Sequence, residues 1–147
     1  MRNLPEIPIR SFGAAVSAQI GVSAERRKAL RAAGLLEPDP IHVSLLIDTG
    51  ATSSWIRSAY LKKLDIFKPR SWFDLVTVAG VEEKVPAYEV SLILGGIASP
   101  HTKRFETLFA SEEFEDEPHD GLLGRNELRL LQFVWNGPSE SVRVSYD

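Results

Sequence analysis

The feature that most limits how this chain can fold is the run Leu45-Leu46-Ile47-Asp48-Thr49-Gly50, an apolar stretch cut off by a carboxylate and a bend. Three strand-forming apolar residues followed by Thr49-Gly50 predict a buried strand that ends in a turn, with Asp48 at its tip. Burying an unpaired ionised carboxylate is strongly unfavourable, so an acid in that place is either paired or set to a chemical task. A plainer reading is that Asp48 starts the turn and accepts a hydrogen bond from its own backbone. Both readings stay open on these residues alone.

Size narrows the choice. A chain of 147 residues has room for one domain, 1–147, but too little for a two-lobed catalytic machine, so a site that needs two lobes needs two chains. Hydrophobic residues at 44% and charged residues at 25% are the balance of an ordinary globular protein, neither disordered nor membrane-embedded. No apolar stretch approaches a bilayer span, and a net charge of −3 exerts no global pull on nucleic acid or anionic lipid, so neither is expected as a partner. The absence of cysteine excludes disulfides, thiolate catalysis and cysteine-based zinc sites. Met1-Arg2-Asn3-Leu4-Pro5 lacks the apolar core of a signal peptide, and a cytoplasmic location is expected.

Along the chain, residues 6–20 read as an extended edge segment, with Pro8 arguing against a central strand. Ser23 is placed as the N-cap of a helix through Ala33 that Gly34 stops, and its basic cluster reads as a solvated face. His42 to Ile47 forms the strand leading to Asp48; His42 itself reads as structural. Thr52 to Ile56 continues as a strand and Ser58 to Leu64 as a short helix. Trp72 to Val78 and Val85 to Leu94 form a hairpin about the turn Ala79-Gly80-Val81-Glu82-Glu83. A strand covers Phe105 to Ala110. The acidic stretch Ser111 to Asp120 lacks the spacing of a calcium loop and reads as solvated, with no metal assigned. Helix-like Asn126 to Leu131 and a terminal hairpin about Asn136-Gly137 complete an inventory of short strands and about three short helices. That inventory predicts an all-β fold, mainly β with short helices, closed or sandwich-like.

Two motifs about seventy residues apart combine at this point. Leu46-Ile47-Asp48-Thr49-Gly50-Ala51 resembles the active-site strand and loop of retropepsin-like aspartic proteases, and Gly121-Leu122-Leu123-Gly124-Arg125-Asn126 resembles the second signature of that family. The likeness in element order covers residues 41 to 147, with the two motifs matching residue by residue and the helix near 23–34 standing as an insertion. The resemblance implies a closed, barrel-like single lobe, one per chain, and a homodimer in which each subunit contributes one Asp48. It implies peptide or protein substrates and no metal or other cofactor. Thr49 would brace the two loops and Gly50 would admit backbone and substrate. Ala51 and the hairpin tip at Val78, Ala79 and Gly80 would contact substrate. Leu122, Leu123, Gly124, Arg125 and Asn126 would support the loop.

The chain departs from the family at Thr52, where retroviral members carry an acid that pairs with the arginine of the second motif, which leaves Arg125 without an evident partner. Ala51 stands where the two-lobed relatives have a hydroxyl, so activity is expected nearer neutral pH than theirs. The alternative function is a protease-like dimer that has lost its chemistry and serves as an interaction or scaffolding module. Actin-like phosphotransferases share an Asp-x-Gly turn but need two lobes and phosphate loops that this chain lacks.

Overall fold

The computed structural model of the chain describes residues 1–76, 79–80, 82–96, 100–111 and 118–147. The strand that carries Asp48, β4 (Ile41–Ile47), alternates so that Val43 and Leu45 are buried while Ser44 and Leu46 face the other side. It is flanked on both edges. β3 (Ala15–Val22) pairs with it antiparallel, Ala15 opposite Leu46, and β9 (Gly121–Leu123) pairs parallel, Ile47 opposite Leu123. β5 (Ser54–Ile56) lies on the far side of β9 and runs parallel to β8 (Lys103–Ser111). β8 pairs with β7 (Glu82–Leu94), and β7 returns to β3. Six strands in the order β3-β4-β9-β5-β8-β7 thus close into a barrel, the architecture expected for one mainly-β lobe.

Val16, Ile20, Leu45, Ile56, Leu92, Phe109 and Leu123 belong to one continuous apolar core and are almost wholly shielded from water. Each such side chain contributes about 1.5–3 kcal/mol on burial. A second, smaller apolar cluster forms where the hairpin of β6 (Ser71–Val76) and β7 leans on the barrel wall: Phe73, Leu75 and Val85 pack with Trp55, Ala110 and Leu122. In a separate sheet, β1 (Arg2–Asn3) and β2 (Ile7–Pro8) pair with β11 (Ser141–Tyr146), which also pairs with β10 (Gln132–Asn136).

The helices are α1 (Ala24–Ala32), α2 (Ser58–Lys63) and α3 (Arg125–Leu128). Ser23 caps α1 through its hydroxyl, which accepts from the Arg26 amide, and Gly34 follows with φ +68°, as the sequence predicts. On the basic face, Arg27 lies within 3.7 Å of Glu106 and 3.9 Å of Glu37, so part of that charge is answered inside the chain. Among the described residues no helix is long and apolar enough to cross a membrane.

Three expectations shift. Residues 15–22 are not an edge but the strand that closes the ring, because Val16, Ala18, Ile20 and Val22 all find buried partners; only Ile7–Pro8 stays peripheral. The strand expected from Thr52 begins at Ser54, because the Thr52 carbonyl accepts from the Asn126 amide instead of a neighbouring strand. The terminal hairpin turns through Gly137–Glu140 rather than tightly at Asn136-Gly137. Asn136 Oδ1 accepts from the Ser139 amide, and Glu140 takes φ +52°.

Candidate active site

Asp48 follows β4 directly, and its amide donates to the Leu123 carbonyl at 3.0 Å, which ties the strand tip to β9. Oδ1 accepts from the Gly50 amide at 2.9 Å, the local hydrogen bond of the plainer reading. Oδ2 accepts no hydrogen bond from another described residue. Asp48 is half-buried rather than enclosed, and among the described residues it makes no ion pair. A Cβ at position 50 would stand 3.2 Å from Asp48 Oδ1, close enough that the carboxylate would have to give by a few tenths of an ångström. Thr49 and Gly50 are exposed, and Ala51 is half-buried, with its amide 3.3 Å from the Asp48 carbonyl.

The second motif grips this loop from behind. Arg125 and Asn126 donate their amides to the carbonyls of Ala51 (2.8 Å) and Thr52 (3.0 Å). Gly124 packs backbone against backbone on Ser53, where a Cβ would meet the Ser53 oxygen at 2.5 Å. Its amide donates to Ser54 Oγ at 2.9 Å. The Arg125 guanidinium finds partners within the loop itself, Nη1 on the Thr49 carbonyl (2.8 Å) and Nη2 on Thr52 Oγ1 (3.0 Å). Thr52 therefore takes up by hydrogen bond the place of the acid that the resemblance led one to look for. Leu123 is fully buried in the main core, and Leu122 faces the smaller cluster under the hairpin.

Ala79 and Gly80 are exposed at the turn between β6 and β7; Val78 lies outside the described residues. So do Glu112, Glu113, Glu115, Asp116 and Glu117 of the acidic stretch. Its end is not solvated as expected. Asp120 accepts from the Ser44 amide at 2.7 Å and from the Tyr60 hydroxyl, a bond that raises the Tyr60 phenol above its ordinary value, with burial adding to the effect. His119 is buried, with its ring 5.7 Å from that of Phe12. These residues anchor the start of β9 rather than face water.

One group that the sequence reading passed over is Glu127, on α3, with 1% of its surface exposed. Oε1 accepts from Thr107 Oγ1 at 2.8 Å, and burial pushes the carboxyl above its ordinary value. Its helical phase with Leu128 and Leu131 was the signal available in the sequence.

Two surface clefts, of about 440 and 250 Å³, lie elsewhere, the larger beside Ser23, Phe67 and Arg70. Asp48 lines neither of them, and in a single chain its loop stands on an open surface.

No protein-family model matches the chain, and no curated protein matches it in sequence. Among solved structures it is similar to a retropepsin-like aspartic protease from Rickettsia conorii, with TM-score 0.56 and 15% identity, over 99% of this chain and 95% of that one. It also matches the EIAV protease complexed with the inhibitor HBY-793, with TM-score 0.41 and 17% identity, over 88% of this chain and 91% of that one.

Proposed function

We propose, for a chain that has the retropepsin-like fold, that it is one half of an aspartic endopeptidase and that two copies complete the site. Residues 1–147 form one protease lobe in this reading, with α1 as its insertion. The observation that carries it is the Asp48 loop. A half-buried acid sits at a strand tip in a loop that the amides of Arg125 and Asn126 and the Arg125 guanidinium hold by its Thr49, Ala51 and Thr52 positions, and among the described residues no second acid is bonded to that loop.

Brought together across a two-fold axis, two Asp48 carboxyls cannot both ionise cheaply, and they share one proton. The ionised Asp48 takes a proton from a water held between the two. The protonated Asp48 of the second copy polarises the scissile carbonyl, and its proton later passes to the leaving amine. Thr49 braces the paired loops. Substrate lies along Ala51 beneath the hairpin tip at Ala79 and Gly80, which closes over it and excludes water.

Light scattering tests the dimer, and cleavage of a peptide library by wild type and Asp48→Asn tests the chemistry. The expected result is a dimer whose cleavage falls by at least about 10²–10⁴-fold in the variant. Equal cleavage by both proteins, or a monomer at every concentration, overturns the proposal. A dimer in which neither protein cleaves favours the interaction module.

A further inference from the structure

Beneath the Asp48 loop the barrel wall holds a polar hub that the chemistry above does not use. Glu127 lies at the junction of α3, β5 and β8, and Thr107 on β8 donates to its Oε1 at 2.8 Å. The Ser54 hydroxyl on β5 faces the same carboxyl and favours its anion, while Oε2 makes no hydrogen bond of ordinary geometry. Ser54 is wholly buried and accepts from the Gly124 amide at 2.9 Å, one residue before the amide that holds the Ala51 carbonyl. Hydrogen bonds thus tie β8 to Glu127 on α3 and β5 to Gly124 just before it, and the amides that follow hold the loop.

We infer that Glu127 is a positioning residue of the Asp48 site: its carboxyl accepts from Thr107 and so ties α3 to β8, and it thereby fixes the α3 amides that hold Ala51 and Thr52. It touches neither the reacting atoms nor Asp48, and its role in cleavage rests on the protease reading above. An apolar side chain would fill the same space but could not accept from Thr107.

A buried carboxyl is also a proton-dependent support. Burial favours its neutral form, against Thr107, Ser54 and the charge of Arg129, which favour the anion. Few other charges surround it. Arg125 on α3 is turned to Thr49 and Thr52, and Lys103, Arg104 and Glu106 lie on β8, with Glu106 engaged by Ser91, Ala24 and Arg27. β5 and β9 bring no charged residue, and Asp48 lies across the loop. When Glu127 ionises, a charge that its surroundings only partly answer appears behind the loop, and the α3 amides move.

The test follows the amide resonances of Gly124, Arg125 and Asn126 against pH. In wild type the three shift together with one midpoint above the usual glutamate range, and Asp48→Asn retains that transition. In Glu127→Gln they hold their low-pH positions throughout, because the amide mimics the neutral carboxyl. Thr107→Val, nearly isosteric and without a donor for the anion, moves the midpoint to higher pH, and the alkaline limb of peptide cleavage moves with it. Amides that do not titrate in wild type, a transition that persists in Glu127→Gln, or an unmoved midpoint in Thr107→Val each overturn the inference. So does a Glu127→Leu protein whose amides and cleavage both match wild type. A wild type that cleaves nothing defeats the protease reading, while the amide titrations still decide the role of Glu127.

Discussion

Replacing Gly124 with alanine isolates the grip of the second motif on the Asp48 loop. Gly124 has φ −89° and ψ 179°, a conformation open to alanine, so backbone strain does not enter. The effect is one of contact. The added Cβ would lie 2.5 Å from the Ser53 oxygen, 2.6 Å from its carbonyl carbon and 2.9 Å from its nitrogen, all of them backbone atoms. Reaching an ordinary 3.4 Å from that oxygen requires the two segments to part by about 0.9 Å. That movement stretches the 2.9 Å bond from the Gly124 amide to Ser54 and the bonds from Arg125 (2.8 Å) and Asn126 (3.0 Å) to the loop carbonyls. Three hydrogen bonds at about 0.5–1.5 kcal/mol each predict a loss of about 1.5–4.5 kcal/mol. Overpacking alone gives about 1–3 kcal/mol, the same scale. Urea unfolding followed by tryptophan fluorescence measures the loss, and amide shifts of residues 48–52 report the displaced loop. A loss under about 1 kcal/mol with those amides unmoved would refute the view that this contact holds the loop in place.

Other substitutions probe neighbouring contacts. Thr52→Asp places a carboxylate beside the Arg125 guanidinium, 3.0 Å from the present hydroxyl, and should stabilise by up to about 1 kcal/mol, a gain that shrinks in concentrated salt because the pair is exposed. Tyr60→Phe removes the donor to Asp120 but leaves the Ser44 amide on that carboxylate, so a loss of about 1 kcal/mol in urea unfolding is expected. Because the Tyr60 phenol is raised by Asp120 and the Tyr146 phenol by burial, ultraviolet titration should show two tyrosines ionising later than an exposed phenol, and Asp120→Asn should bring only Tyr60 down. Glu127 has a folded-state pKa above its unfolded value, so the folded chain binds the extra proton between the two. Its contribution to stability is complete below the unfolded value and is lost as pH rises through the folded one; urea midpoints measured against pH should decline over that window in wild type and lose that decline in Glu127→Gln.

What the sequence disclosed was local, and what it hid was contact at long range. Asp48 at a strand tip follows from three apolar residues and a bend, and the caps Ser23 and Gly34 follow from residue type alone. The two motifs could be named separately, yet their contact crosses more than seventy residues and only the fold brings Arg125 to Thr52. β3 was misread as an edge because Pro8 precedes it, while ring closure depends on β7, a strand seventy residues away. Asp120 was hidden by its acidic neighbours: charge composition reads as solvated until a backbone amide and a phenol are seen to converge on the carboxylate. Glu127 was legible in principle, since its spacing from Leu128 and Leu131 in the sequence is that of one helix face, but a pattern of apolar residues does not single out the acid among them.

The length of β7 gives the molecule a mechanical asymmetry. From Val90 to Ile93 it is stitched on both edges, to β3 and to β8, whereas from Glu82 to Pro86 its ladder partner is β6 alone. The inner part is an anchored stave and the outer part an arm that extends beyond Ala87, where the β8 ladder ends. Any bending of the arm would leave the ladder hydrogen bonds of the ring intact and would be resisted instead by the apolar contacts of Phe73, Leu75 and Val85 with Trp55, Ala110 and Leu122.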